Sequence, residues 1–320
     1  MAPYLLPEWL EVEKELGGQL VLGGTMENYR AGGEAIGKYI RAHLPPRPDD
    51  DGLDVADEKI NDNVRVRIYR PRKYDGVLPI GVFCHGGGFS DGSIDMEDGL
   101  CRVIASKYPC IIVSVDYRLT PAVDIKVVFQ GALNGFSWAY ENASKLGGDQ
   151  NRVFMLGSSC GGTLSLATAH KLIELGRKGQ LKGAINMAGG TVHYDNVPEQ
   201  VQHLMKSMEE NATDTPIIDG QTARMINVST GLKNYINDEW LFPLLSSRLA
   251  DFPPVYLVAC GADPLRDDNV AMEHELRANG VKVKLDKYEG LPHAFWMFSN
   301  LDATKMFLGN LLAGIKFILA

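Results

Sequence analysis

The sequence has few cysteines, and their number and spacing argue against a disulfide framework and against a zinc site. Its 320 residues contain five cysteines, none of which stands in a CxxC pair or at the Cys/His spacing of a zinc site. An odd number of scattered thiols is typical of reduced side chains that pack as small hydrophobic groups. We therefore predict no disulfide framework, no metal site and a cytoplasmic location.

Long apolar runs and basic clusters are missing as well. The N-terminal stretch MAPYLLPEWLEVEKELGG carries charges where a signal peptide needs an unbroken apolar segment, and no run approaches the length of a membrane-spanning helix. The formal net charge is -8, and no run of lysine or arginine resembles those that bind nucleic acid or anionic lipid. The sequence thus predicts neither a membrane nor a nucleic acid as partner.

What the sequence does contain is an alternation of short apolar runs with longer segments of helical periodicity. From about residue 64 the strand-like runs are VRVRIY, PIGVFC, CIIVSV, RVFMLG, GAINMA, VYLVAC and VKVKLDKY. Most of them are continuously apolar, as in strands that are covered on both faces. This pattern predicts an α/β fold in which helices flank a central, mostly parallel sheet.

Two regions depart from the alternation and predict a helical cap. The first is residues 1–50, which read as helical and run into the proline-rich stretch PPRPDDDG, and the second is residues 191–245. Ligands of open α/β sheets bind at the carboxyl ends of the strands, where long insertions commonly form lids. We therefore assign both regions to one cap, and residues 51–190 and 246–320 to the α/β core.

The stretch GSSCG places Ser159 at the centre of the pattern G-x-S-x-G. The bare pattern has little weight, and a plain glycine-rich turn is the alternative. Its position between the strand RVFML and a helical segment is more specific, because a tight turn there lifts the serine hydroxyl above the sheet edge. We predict that Ser159 is a nucleophile and that Gly157 and Gly161 allow the turn.

The stretch HGGGF follows the strand PIGVFC and contains three successive glycines. Glycines let backbone amides approach a substrate closely, and a serine nucleophile needs hydrogen-bond donors for the oxyanion that forms on attack. We expect the amides of Gly87, Gly88 and Cys160 to supply them. A phosphate-binding loop is the alternative here, but the Lys-Ser/Thr ending of such a loop is absent.

The nucleophile also needs a base and an acid, which follow it in the order acid, then histidine, in one large class of α/β enzymes. His293 lies in EGLPHAF after the strand VKVKLDKY, and Asp263 lies just after the strand VYLVAC. A lone histidine beside an apolar stretch is usually a core residue, but these partners favour catalysis. Asp267 and Asp268 are rivals for the acid, although we expect them to cap the helix that follows.

These motifs together resemble the hormone-sensitive-lipase-like family of α/β-hydrolases, which includes microbial and fungal esterases and plant carboxylesterases. HGGGF resembles the oxyanion motif, VSVDYRLTPA the V-x-DYRL-x-PE segment, GSSCGG the GDSAGG elbow, DPLRDD the acid motif and YEGLPHAF the Y-x-G-x-x-HGF segment. The resemblance extends over most of residues 60–300. It implies the α/β-hydrolase fold with Ser159 as nucleophile, His293 as general base and then acid, and Asp263 as the residue that orients the imidazole.

Three positions depart from the family pattern. Ser158 stands where the family has Asp, Cys160 where it has Ala, and Ala122 where it has Glu. None of the three removes a catalytic group, because Cys160 would contribute only its backbone N–H. A cysteine hydrolase is disfavoured because the elbow exposes its central residue, Ser159. The departures therefore concern loop support and pocket shape.

The resemblance also implies roles for residues around the motifs. His85 and Gly86 would support the glycine loop. We expect the substrate pocket to include Phe89, Ser158 and Leu265. These assignments complete the predicted site, which needs no metal and no cofactor.

The sequence therefore predicts a serine carboxylesterase for short- to medium-acyl esters, with an acylated specialised metabolite as a hypothesis for the substrate. A lactonase or thioesterase with the same residues is an alternative. A small-molecule receptor is another, as in the plant gibberellin receptors, which resemble this family but lack the histidine that His293 provides here. The predicted partner is a small-molecule ester. The oligomeric state stays open, since exposed sheet edges in such folds often pair and would give a homodimer.

Overall fold

A mixed sheet of eight strands organises the described part of the chain, which comprises residues 4–44, 51–74 and 76–320 of a computed structural model. The strands are β1 Leu53–Asn61, β2 Val64–Pro71, β3 Leu78–Cys84, β4 Ile111–Asp116, β5 Gly148–Ser158, β6 Gly183–Met187, β7 Val255–Ala262 and β8 Val283–Pro292. Their order in the sheet is β1-β2-β4-β3-β5-β6-β7-β8. Strand β2 runs antiparallel to both neighbours and the remaining pairs are parallel, which confirms the predicted fold class.

Helices cover both faces of this sheet. They are α1 Pro7–Glu15, α2 Met26–His43, α3 Asp98–Lys107, α4 Ile125–Glu141, α5 Ala143–Leu146, α6 Cys160–Glu174, α7 Ser207–Glu210, α8 Gly220–Ser229, α9 Arg266–Ala278 and α10 Asp302–Leu319. Val82 packs in the cluster with α4, α6 and α9, whereas its neighbour Phe83 packs in the cluster with α3 and α10. Successive strand residues point to opposite faces of the sheet. Because helices cover both faces, the side chains on both faces are apolar, as the continuous apolar runs predicted.

Two elements were missed by the sequence pattern. Strand β1 has only Leu53 fully buried and carries charged side chains along an exposed edge of the sheet, so it offers little hydrophobic signal. Helix α3 is short, and its buried apolar face rests mainly on Cys101 and Ile104. Strand β1 is stabilised by its pairing with β2, and α3 by its packing against β2 and β4. Local sequence patterns do not reveal such contacts.

The two regions assigned to a cap pack against each other. A parallel bridge joins Val21 to Ile217, with hydrogen bonds of 2.7 Å from the amide of Leu22 to the carbonyl of Ile217 and from the amide of Ile217 to the carbonyl of Leu20. Most of the PPRPDDDG stretch, residues 45–50, lies outside the described residues. Within the described ranges, no helix has the length and apolarity needed to cross a bilayer.

The two aspartates at the start of α9 hold the segment 191–245, and our expectation that they cap their own helix is wrong. The N-cap position of α9 is Leu265, without a side-chain cap. Each carboxylate instead accepts two backbone amides of that segment. The donors are Lys206 at 2.8 Å and Ser207 at 2.7 Å for Asp267, and Thr191 at 2.7 Å and Val192 at 3.2 Å for Asp268.

Candidate active site

Three side chains from three separate loops meet at the carboxyl edge of the sheet. Ser159, Asp263 and His293 each come directly after a strand, namely β5, β7 and β8. Nε2 of His293 lies 2.8 Å from Oγ of Ser159, and its Nδ1 lies 2.7 Å from Oδ2 of Asp263. The sequence-predicted nucleophile, base and acid are thus within hydrogen-bonding distance of one another.

The acid of this trio is held rigidly. Asp263 is fully buried and His293 is only 4% exposed. The second carboxylate oxygen, Oδ1, accepts the backbone amide of Leu265 at 2.8 Å. Since both oxygens are engaged, the carboxylate can turn neither away from the imidazole nor toward solvent.

Ser159 occupies a sharp turn between β5 and α6. Its backbone has φ 52° and ψ -126°, a conformation that non-glycine residues rarely adopt and that costs about 1–3 kcal/mol. The turn is close-packed, because a Cβ on Gly157 would overlap Gly161, and a Cβ on Gly161 would overlap the carbonyl of Cys84. The geometry is that of a nucleophile elbow, with the hydroxyl lifted above the sheet and the first turn of α6 behind it.

The glycine loop lies beside this elbow, and His85 anchors it from below. The His85 ring stacks on Tyr117 with centroids 4.2 Å apart, and its Nδ1 lies 2.7 Å from the carbonyl oxygen of Gly86. Burial lowers the pKa of His85, so its imidazole stays neutral. The backbone φ values of Gly87, 112°, and Gly88, 59°, favour glycine at both positions. His85 thus supports the loop and does not contact the serine.

Glu97 is a component of the site that the sequence analysis missed. Its side chain is 5% exposed, and Oε2 accepts the amide of Gly86 at 2.9 Å. The hydroxyl of Ser158 faces the same carboxyl group. Burial raises the pKa of Glu97 to about 7, although the amide of Gly86 and the nearby hydroxyl of Ser158 act to lower it. In the sequence, Glu97 stands among the acidic residues of DMEDG and has the signature of an ordinary surface position.

Ser158 corrects one pocket prediction. Its side chain is 2% exposed and points toward Glu97. The described lining of the cavity at Ser159 includes Phe89 and Leu265, as predicted, but not Ser158. Ser158 therefore belongs to the support beneath the glycine loop.

Cys160 contributes more than the backbone amide expected of it. Its thiol accepts the amide of Phe89 at 3.3 Å. Phe89 has a positive φ of 62°, so this contact holds a strained residue of the loop. Burial raises the pKa of Cys160 to about 11, which keeps the thiol protonated.

A cavity of about 360 Å³ opens beside Ser159. Much of its wall is aliphatic or aromatic, and its size lies at the low end for small-molecule pockets. The glycine loop and the core contribute Phe89, Cys160 and Leu265, whereas the segment 191–245 contributes Val192, Met205, Met208, Ile218, Ile226, Leu232, Leu241 and Phe242. The polar side chains on its wall include Tyr29, Arg224 and Asn227.

The other potential ligands for metals or redox chemistry are dispersed. Among the described residues, no group of three or more His, Cys, Asp or Glu side chains is placed to hold a metal ion. All five cysteines are free and buried. The chemistry-bearing residues of the described chain therefore concentrate around Ser159.

Relatives of known sequence match most of this chain. A family model described as "alpha/beta hydrolase fold" matches residues 81–297. The versiconal hemiacetal acetate esterase of Dothistroma septosporum is 37% identical over 314 residues, which are 98% of this chain and 94% of that protein. Esterase LipI of Mycobacterium tuberculosis is 31% identical over 269 residues, covering 82% of this chain and 81% of that protein.

Solved structures agree with these relatives. Vibralactone cyclase superposes with a TM-score of 0.88 at 27% identity, covering 99% of this chain and 95% of that chain. The esterase of the hyperthermophilic archaeon Pyrobaculum calidifontis superposes with a TM-score of 0.84 at 25% identity, covering 99% and 98%. The chain therefore belongs to the hormone-sensitive-lipase-like branch of the α/β-hydrolase family and is a carboxylic ester hydrolase.

Proposed function

We propose that the chain is a serine carboxylesterase that cleaves short- to medium-acyl esters through an acyl-enzyme. The observation that carries this proposal is the hydrogen-bonded line from Ser159 through His293 to Asp263, with distances of 2.8 Å and 2.7 Å. A serine hydroxyl is a poor nucleophile until a base takes its proton. The buried carboxylate of Asp263 favours the tautomer with hydrogen on Nδ1, which leaves Nε2 free to accept that proton.

The chemistry follows from this line. Oγ of Ser159 attacks the ester carbonyl carbon while its proton moves to Nε2 of His293, and the carbonyl oxygen becomes an oxyanion. The amides of Gly87, Gly88 and Cys160 would stabilise that oxyanion. His293 then protonates the leaving alcohol as the carbon–oxygen bond breaks. Water repeats the cycle on the acyl-enzyme and releases the carboxylic acid.

We infer that the acyl group or the alcohol enters the apolar cavity beneath a cap. The cap would consist of the N-terminal segment and residues 191–245, which the bridge between Val21 and Ile217 joins. A cavity of about 360 Å³ favours small and medium substrates over long fatty acyl chains. Two relatives, from Dothistroma septosporum and Aspergillus parasiticus, are named versiconal hemiacetal acetate esterases. An acetate ester of a specialised metabolite is therefore our first hypothesis for the substrate.

The decisive experiment replaces the nucleophile. Ser159→Ala is expected to lower the turnover of p-nitrophenyl acetate and butyrate by roughly 10⁴- to 10⁶-fold, because the acyl-enzyme cannot form. Ser165→Ala is a matched control, since Ser165 is a buried serine of α6 that does not line the cavity. Near-normal turnover by a folded Ser159→Ala protein would refute the proposal.

Substrate class needs a separate experiment. A series of p-nitrophenyl esters of increasing acyl length should show the highest kcat/KM at short and medium lengths. Acetylated aromatic metabolites should be tested in the same assay. A steady rise toward long acyl chains would contradict the proposed preference.

A lactone is the second candidate substrate, because the same nucleophile and oxyanion donors act on any acyl carbon, and one structural neighbour is named vibralactone cyclase. Hydrolysis of lactones at higher kcat/KM than open-chain esters would favour it. A small-molecule receptor on this scaffold would not react with a serine-directed fluorophosphonate. We expect rapid labelling of the native protein and none of Ser159→Ala.

We also propose a cytoplasmic location and a homodimer. The five free, buried thiols are typical of proteins in a reducing compartment. Strand β8 forms one edge of the sheet, where an edge of a second copy can pair. Cell fractionation and light scattering after size-exclusion chromatography test the two proposals separately.

A further inference from the structure

Tyr29 reaches from α2 of the N-terminal segment to the glycine loop of the candidate site. Its side chain is 8% exposed and lines the same cavity as Ser159 and His293. A Cβ placed on Gly88 would lie 3.3 Å from Oη of Tyr29, so the hydroxyl stands directly against that glycine. This residue is far from the motifs in sequence and carries none of their signatures.

The Tyr29 hydroxyl has no hydrogen-bond partner among the described residues, although the ring is buried. Ile226 lies beside it at the loop, since the same Cβ on Gly88 would lie 3.1 Å from Cδ1 of Ile226. Because Tyr29 lines the cavity, its hydroxyl is available to donate a hydrogen bond to a molecule bound there.

The Tyr29 phenol is a neutral donor at any physiological pH. Burial, together with the nearby Cys160 and Asp91, raises its pKa above the ordinary value of a tyrosine. The hydroxyl therefore keeps its proton and can donate it to an oxygen atom that gains negative charge.

We propose that Tyr29 is a further catalytic residue that donates a hydrogen bond to the oxyanion, an inference that rests on the proposed serine esterase mechanism. The amide of Phe89 donates to the sulfur of Cys160, so this donor of the loop is engaged by the protein itself. Tyr29 supplies a further donor beside Gly88 of the same loop.

This assignment links the N-terminal segment to the chemical step. Helix α2 carries Tyr29, and the segment before it is bound to residues 191–245 by the bridge between Val21 and Ile217. Packing of the N-terminal segment against residues 191–245 would therefore position the Tyr29 hydroxyl as well as cover the cavity. A purely structural tyrosine, in contrast, could be replaced by phenylalanine without loss, because the two rings have the same shape.

The test is Tyr29→Phe, which removes one oxygen atom and keeps the ring. We expect kcat and kcat/KM for p-nitrophenyl acetate and butyrate to fall together by about tenfold or more, with KM unchanged. Affinity for a trifluoromethyl ketone, whose adduct with Ser159 carries an oxyanion, should fall by a similar factor. Tyr39→Phe is the matched control, since Tyr39 lies on the same helix and its hydroxyl donates to Glu15 at 2.6 Å.

Three outcomes would overturn the inference: wild-type kcat in Tyr29→Phe, a loss confined to KM, or an unchanged affinity for the ketone. A crystal structure of the wild-type adduct gives an independent check that needs no variant. In it, Oη of Tyr29 should lie about 2.5–3.0 Å from the adduct oxygen, and a distance above about 4 Å would exclude the contact. If Ser159→Ala is inactive while Tyr29→Phe behaves as wild type, the esterase mechanism stands and only the role of Tyr29 fails.

Discussion

Glu97 accepts the amide hydrogen of Gly86 at 2.9 Å and so joins α3's N-terminal end to the base of the glycine loop. The contact lies beneath Gly87 and Gly88, whose amides are the proposed oxyanion donors. Ser158 faces the same carboxyl group from the strand that ends in the nucleophile. One buried carboxyl therefore connects the two backbone segments on which the proposed mechanism depends.

The first prediction concerns pH and Glu97. Its pKa is raised from 4.5 to about 7 in the folded protein, so between these values the folded state binds more protons than the unfolded state. The contribution of Glu97 to the free energy of unfolding therefore falls as pH rises from about 4.5 to 7. Glu97→Gln has no carboxyl proton to lose in this range. The change in the free energy of unfolding over the range should therefore differ from that of the wild type by on the order of 1–3 kcal/mol.

Chemical denaturation at pH 5 and at pH 7.5 measures this difference. Glu11→Gln, at an exposed position of α1, is the control and should leave the pH dependence of the wild type unchanged. Equal slopes for wild type and Glu97→Gln would show that Glu97 titrates normally. Since Gln still offers an oxygen to Gly86, a large loss of esterase activity in this variant is not expected.

The second prediction identifies the acid. Asp263→Asn should lower kcat for p-nitrophenyl butyrate by about 10⁴-fold, because an amide in this place favours the wrong imidazole tautomer. Asp268→Asn is the matched control at the rival position, where the carboxylate accepts the amides of Thr191 and Val192. Its expected effect is on stability, with kcat within about tenfold of wild type. Losses of similar size in both variants would contradict the assignment.

The third prediction concerns the thiol of Cys160. Cys160→Ala leaves the buried amide of Phe89 without its acceptor, so the free energy of unfolding should fall by about 1–2 kcal/mol. Cys160→Ser keeps an acceptor and should retain most of the esterase activity. Because burial raises the pKa of this thiol to about 11, iodoacetamide at pH 8 should not inactivate the native protein. Complete inactivity of a folded Cys160→Ser protein would point to a cysteine nucleophile instead.

The fourth prediction uses two glycines in contrasting places. Gly161→Ala would force a methyl group onto the carbonyl of Cys84 and should destabilise the protein by about 3 kcal/mol or more, with loss of activity. Gly309 lies exposed within α10, where an added Cβ meets nothing within 4 Å. Gly309→Ala should stabilise the protein by about 0.5–1 kcal/mol without changing kcat. Thermal and chemical unfolding measure both changes, and equal effects would show that the tight turn does not require glycine.

The sequence by itself determined the fold class and predicted a site at Ser159, Asp263 and His293, three residues that the structure brings within hydrogen-bonding distance. These signals are local: each residue follows an apolar run in a turn of small or flexible residues, and the hydrophobic period of the runs predicts the sheet. Chain order then brings the turns to one edge, because parallel strands end on the same side. The glycine loop was recognisable for the same reason.

Only the tertiary structure decided what surrounds these residues. Glu97 has the sequence appearance of a surface acid, yet packing places it beneath the glycine loop, and Ser158 turns toward it rather than into the cavity. Tyr29 reaches the site from α2, which no motif connects to the core. Such contacts join residues far apart in the chain, so their energies depend on packing and burial that local periodicity does not encode.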